Sequence, residues 1–315
     1  MIKIHNGRQI VIYLELAVVV LLWGLVPLVM KRTSLEMPAG TFSLLRFILV
    51  SLMLGSLYYR DIQHAGMRPA LLLMLLGVCT LLPFSYFFLT GVKYVDISTT
   101  GMIQGTIPAM TVLISSLLVR SLPTRTVLFS IGIAYGGLVL FLMETGRQLQ
   151  HTNPQQSAGI LFLIIAMACF SLYTILSKRV STAIRNPVII FYASIGAALG
   201  AIPVSMFEYQ TTGRLTITWS GIFGIAYMAM FATAISFILY TRAVRSIGPF
   251  AASSFTNFVP IVIILSGIIA LNEKINAVQF LAIGLVMAGV ILSIFNERSI
   301  ASNRAYPIVT QTHYR

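Results

Sequence analysis

The sequence predicts an all-α membrane protein: ten transmembrane helices arranged as two inverted five-helix repeats around a central cavity. Three observations predict it. The 315 residues are 57% hydrophobic and only 9% charged, whereas a soluble domain carries roughly 25% charged residues. The apolar residues gather into runs of about 20, the length that crosses ~30 Å of hydrocarbon. Signals in the first half of the chain also recur in the second at a nearly fixed offset.

With so few charges the chain cannot cover a water-facing surface, so its apolar groups face lipid. Residues 11–29 contain one acid, Glu15, and residues 276–295 contain no charge of either sign. Charges, Pro and Gly punctuate the runs and predict spans at about 10–30, 39–59, 69–91, 97–119, 125–143, 157–177, 186–207, 218–241, 248–271 and 276–295. The first run is long, lacks a small-residue cleavage site and ends at Lys31-Arg32, so it reads as a span and not as a signal peptide. The linkers leave no room for a soluble domain. The polar stretch 299–315 reads as a mobile cytoplasmic tail.

The net charge of +13 does not point to nucleic acid. Lys and Arg are scattered in ones, twos and threes between apolar runs, which is the pattern of membrane loops and not of a basic stripe. Of the 21 Lys and Arg, 14 fall on the side of the termini, six on the other side, and Arg46 lies within a span. Positive charge marks the cytoplasmic face, so both termini are expected there, in a multi-pass protein of the cytoplasmic (inner) membrane. Cys79 and Cys169 both lie in apolar runs and read as small packing residues; neither a disulfide framework nor a metal site is indicated.

At an offset of 152 residues, Val92-Lys93 meets Val244-Arg245, Pro108 meets Pro260, Ile131-Gly132 meets Ile283-Gly284, and Gly137 meets Gly289. An offset of 147 places Trp23 on Phe170 and Lys31-Arg32 on Lys178-Arg179. The repeat units are therefore about 1–150 and 151–298. Five spans per unit is an odd number, so the second unit enters the bilayer from the opposite side, as in secondary transporters. Pro108 and Pro260 each remove an N–H and free the carbonyl four residues earlier, those of Gln104 and Thr256. Freed carbonyls at membrane depth require protein or a watery cavity to satisfy them. Gln104, Thr106, Thr256 and Asn257 surround the two prolines, which makes this pair of interrupted helices the predicted binding region.

Two ionisable residues lie inside spans. Arg46 sits ~10 Å from the outer face and Glu15 ~8 Å from the cytoplasmic face at 1.5 Å per residue, too far apart for a direct pair. Arg46 reads either as a cavity-facing group, able to hold a substrate carboxylate or phosphate, or as a snorkelling or structural residue. Glu15 reads as an interfacial residue or as a possible proton-coupling group in a cytoplasmic vestibule. The aromatics Trp23, Tyr86, Phe170, Tyr173, Tyr192, Tyr227 and Tyr240 recur on helices expected around a cavity, with Trp23 and Phe170 foremost as repeat mates. Glycines in spans five and ten read as close-packing positions, with a dimer surface as one reading.

The stretch 248–292, with Asn257, Pro260, Asn272-Glu273, Gly284 and Gly289, resembles the second repeat of the ten-helix EamA-type drug/metabolite transporters. Trp23-Gly24 and Leu45-Arg46-Phe47 resemble the same family, and the likeness covers residues 10–296. It implies export from the cytoplasm, a central cavity away from spans five and ten, and no bound cofactor. The Gly-Glu that often follows span nine reads Asn272-Glu273 here. Its counterpart Arg120-Ser121 lacks the acid, so Glu273 reads as a loop or helix-cap residue.

The leading functional expectation is a secondary transporter of small metabolites, exporting amino acids or related compounds by alternating access as a monomer or homodimer. No Gly-x-x-x-x-Gly-Lys-Ser/Thr loop is present to support ATP hydrolysis. A flippase for lipids or lipid-linked sugars, or a membrane sensor, stays open as an alternative. An intramembrane transferase is remote, because His5, His64, His151 and His313 all fall in tails or loops and no His-Glu-x-x-His occurs.

Overall fold

A computed structural model of the chain describes residues 7–120, 123–148, 154–180, 184–212, 217–247, 252 and 255–303. Among the described residues all regular structure is helical. The first helix, α1, runs Gly7–Gly24 and, after a break at Leu25, Val26–Glu36. Next come α2 (Ala39–Leu57), a short surface helix (Tyr59–Gln63) and α3, which runs Met67–Leu76, Gly77–Leu81 as a π-helical turn, then Leu82–Tyr94. The broken helix α4 comprises Ile97–Gly105 and Ile107–Val119, followed by α5 (Arg125–Gln148), α6 (Pro154–Val180) and α7 (Asn186–Thr212). The second π-containing helix, α8, runs Trp219–Ala226, Tyr227–Ile235 and Ser236–Ile247. The last two are α9 (Val259–Leu271) and α10 (Ala277–Asn303).

Seven of these helices are long and apolar enough to cross a bilayer alone. An eighth, α4, is a pair bent by 41°, and α9 and the apolar part of α10, Ala277–Leu292, are shorter. The chain is thus an all-helical membrane protein of seven to ten apolar helices. The predicted ends fall short of the helix ends because an apolar run marks only hydrocarbon depth, while α5, α6, α7 and α10 continue into polar residues. The predicted tail begins inside α10, which reaches Asn303; residues 304–315 lie outside the described residues.

Packing repeats between the halves. The pairs α5–α10, α2–α7 and α4–α9 each join corresponding helices, and α3–α6 and α4–α6 are mirrored by α8–α1 and α9–α1. Adding five to a helix number maps this pattern onto itself. Hydrocarbon offers no hydrophobic drive between helices, so close approach through small residues matters. At the α5–α10 contact a Cβ on Gly137 would stand 2.9 Å from the Ala282 carbonyl, and one on Gly289 2.5 Å from the Ala134 nitrogen. Gly132, Gly136 and Gly284 meet nothing within 4 Å. Only the mates Gly137 and Gly289 are therefore buried in that contact. Cys169 is half-buried, but Cys79 is exposed, so the packing reading holds for the first alone.

Candidate functional site

The two prolines lie at equivalent breaks. Pro108 opens the second segment of α4 and Pro260 opens α9, each at the first turn, where a missing N–H costs nothing. Thr106 precedes one break, and its N–H and hydroxyl both donate to the Ile103 carbonyl, at 3.1 and 2.7 Å. At the other break the Phe258 N–H donates to the Phe255 carbonyl at 3.0 Å, again 152 residues on. Both segments end on a left-handed residue, Arg120 at φ 54° and Asn272 at φ 55°. The Gln104 Oε1 is buried without a hydrogen-bond partner. Thr256 and Asn257 are half-buried beside the α9 break.

Aromatic contacts also repeat. The Trp23 ring lies 6.2 Å from Phe237 and 5.6 Å from Tyr240, between α1 and α8. Its repeat mate Phe170 lies 5.1 Å from Phe84 and 6.4 Å from Tyr173, between α6 and α3. The α1–α8 contact carries two further bonds: Trp23 Nε1 donates to the Ala232 carbonyl at 2.9 Å, and the Tyr227 hydroxyl donates to the Leu22 carbonyl at 2.7 Å. A π-helical turn and a break at Leu25 thereby satisfy each other's backbone. Neither feature was read from the sequence. Pro27 was a visible signal for the α1 break; the π turns left none.

Arg46 is buried on α2, 8% exposed. Its Nη1 donates to Ser85 Oγ on α3 at 3.3 Å, its guanidinium lies 5.1 Å from the Phe47 ring centroid, and its Nε has no partner. The Ser43 hydroxyl also donates to Ser85 Oγ, at 2.9 Å. Ser43 and Ser85 were not among the predicted site residues, because a serine in an apolar run carries no signal of its neighbour on another helix. Tyr86 follows Ser85 on α3 and packs edge-on against Phe87, at 5.7 Å.

Glu15 pairs with Arg242 on α8 at 2.9 Å, not with Arg46, and its second carboxylate oxygen is buried without a partner. Tyr192 packs edge-on against Phe191 at 5.1 Å and shares a core cluster with Tyr173, and its hydroxyl donates to the Ile62 carbonyl at 3.2 Å. The end of the bundle away from the termini is closed by carboxylates capping helices of the other half. Glu208 of α7 accepts from the Gly40 and Thr41 N–H groups at the start of α2. Glu273 accepts from the Ile97 and Ser98 N–H groups at the start of α4, at 2.7 and 2.9 Å. Among the described residues no three His, Cys, Asp or Glu side chains gather as metal ligands.

The EamA-like transporter family matches this chain twice, at residues 10–143 and 157–295. The chain belongs to that family. It is a multi-pass membrane protein of two EamA halves and a transporter, not an enzyme. An uncharacterised transporter of Bacillus subtilis, YetK, is 25% identical over 298 residues, covering 92% of this chain and 89% of YetK. The Escherichia coli inner membrane transporter YedA, also uncharacterised, is 24% identical over 277 residues, 86% of this chain and 87% of YedA. The threonine/homoserine exporter RhtA of Escherichia coli is 28% identical over 149 residues, 47% of this chain and 48% of RhtA. A crystal structure at 16% identity superposes with a TM-score of 0.61, covering 91% of this chain and 97% of the other, and shares the fold.

Proposed function

We propose that this EamA transporter is a secondary transporter that exports small metabolites, amino acids or related compounds foremost, by alternating access between two inverted halves around a central cavity. The observation that carries the reading is the pair of helix breaks at Thr106–Pro108 and Phe258–Pro260, placed identically in halves whose packing maps onto itself. Interrupted helices in corresponding positions mark transporter binding regions, and near-equivalent halves can exchange conformations. The Lys and Arg distribution supports cytoplasmic termini, and the likeness to YedA, an inner membrane transporter, supports that membrane. The name of RhtA favours amino acids, over less than half of either chain. An ion gradient, the membrane potential or exchange would drive export; the potential supplies ~2.3 kcal/mol per charge per 100 mV.

Substrate contact is assigned to Trp23, Arg46, Tyr86, Gln104, Thr106, Phe170, Tyr173, Tyr192, Tyr240, Thr256 and Asn257. Glu15 is assigned to coupling, exchanging Arg242 for a proton during the cycle; Glu15→Gln should abolish the pH-gradient dependence of transport, and unchanged dependence would remove Glu15 from that role. The test of the whole reading is uptake of radiolabelled threonine, homoserine and a wider metabolite panel into everted vesicles containing the chain. Saturable accumulation supports it. Lipid scrambling without accumulation or exchange of any soluble metabolite overturns it in favour of a flippase.

A further inference from the structure

We propose that Arg46, with Ser85 behind it, is the counter-charge for a single carboxylate on the transported molecule; this deepens and rests on the transporter reading above. Arg46 lies seven residues into α2, about 10 Å along the helix, and is 8% exposed. A cation at such depth is costly unless something balances it. No carboxylate does so here: the ion pairs among the described residues are made by Arg147, Arg185 and Arg242.

The local hydrogen bonding leaves donors unused. Ser85 Oγ accepts from both Arg46 Nη1 and Ser43 Oγ, so its own hydrogen is left to donate. Arg46 Nε is also an unused donor. Phe47, Leu81 and Leu82 pack against the alanines of α7, with Tyr173 beside them. A buried positive group with a spare donor and no carboxylate partner is complementary to an oxyanion, and a guanidinium matches a carboxylate in two parallel bonds.

Charge balance selects the anion. The positions matching Arg46 at the two repeat offsets are Ala193 and Ala198, so the second half adds no cation. One carboxylate neutralises one guanidinium. A phosphate dianion would leave a net negative charge in a low-dielectric site, which is strongly disfavoured. The substrate class is therefore a monocarboxylate, either a simple organic acid or an amino acid whose ammonium is held elsewhere.

The test uses the purified full chain, with L-leucine against L-leucinamide, phenylacetate against phenylacetamide, and inorganic phosphate. Binding is read as thermal stabilisation in detergent and transport as uptake into proteoliposomes. Acids should bind at least about tenfold more tightly than their amides, the range of a lost charge-assisted bond. The Arg46→Gln variant should erase that preference, and Ser85→Ala should weaken it. If Arg46→Gln does not fold, Arg46→Lys, which keeps the charge without the fork, should narrow it. The leucine pair responding alone identifies an amino acid, and both pairs responding identify a carboxylate of either kind. Equal binding of acids and amides, a preference that survives in folded Arg46→Gln, or phosphate binding as tightly as the acids would overturn the proposal. Acid-selective binding without transport of any compound would overturn the transporter reading and leave the carboxylate site standing.

Discussion

At Glu273 one carboxylate accepts three hydrogen bonds, from the Ile97 and Ser98 N–H groups and the Ser98 hydroxyl. It satisfies orphan donors at the start of α4 and faces the positive end of that helix. Glu273→Ala should therefore lower stability by about 1–2 kcal/mol, read from thermal unfolding in detergent, with faster hydrogen exchange at Ile97 and Ser98. Unchanged exchange there would contradict the cap. Neighbouring Asp96 makes no capping bond. Burial, and then the charge of Glu273, raise its carboxyl above the ordinary range, with Lys31 opposing. An acid raised on folding is penalised when ionised: the penalty is absent below its unfolded value and complete above its folded one. Asp96→Asn should thus be more stable than wild type near neutral pH, and the advantage should vanish as pH falls toward ~4, the unfolded Asp value. Melting curves across pH check this. At this scale the sequence revealed exceptions to an apolar background. Arg46 and Glu15 stood out inside their runs, but their contacts, Ser85 and Arg242, lie on other helices and had no pattern to announce them.

Among elements, the breaks in α4 and α9 were legible because proline writes its effect into the chain locally, and the 152-residue offset marked both at once. The break in α1 and the π turns of α3 and α8 were not. They depend on tertiary bonds such as Trp23 Nε1 to the Ala232 carbonyl, which no local periodicity encodes. Pro108→Ala supplies the N–H needed to run α4 continuously through the break and should straighten it; the variant should fold and yet lose most of its transport. Full activity in a folded Pro108→Ala protein would show that the break is a packing feature only. The glycines of α10 supply an internal comparison. Gly289→Ala places a methyl 2.5 Å from the Ala134 nitrogen and should force α5 and α10 apart, whereas Gly284→Ala meets nothing within 4 Å. Overpacking costs roughly 1–3 kcal/mol, while alanine in an open helical position gains up to about 1 kcal/mol over glycine. Thermal unfolding of the two variants should therefore shift in opposite directions, and equal shifts would contradict the α5–α10 contact.

Over the whole molecule, the two ends are held differently. Glu208 and Glu273 of the second half cap α2 and α4 of the first, and Ser220 donates to Glu36 across the same end. The terminal end joins the halves through Asp61–Arg185 and Glu15–Arg242, pairs with one well-exposed partner each. Exposed ion pairs are weak, typically below about 1 kcal/mol, so these pairs hold the terminal end less firmly than the half-buried caps hold the other. The fold class was legible from composition and run length, since both report on the bilayer directly. The pairing of the halves across the bundle was legible only through the repeat. The most direct test of the account is counterflow in proteoliposomes of the purified chain. Preloading with unlabelled threonine or homoserine should accelerate entry of the labelled compound, because a single site between two halves alternates faster when loaded on both sides. If no member of an amino-acid and organic-acid panel shows this acceleration while a labelled lipid crosses the bilayer, the two-halved metabolite exporter proposed here is contradicted.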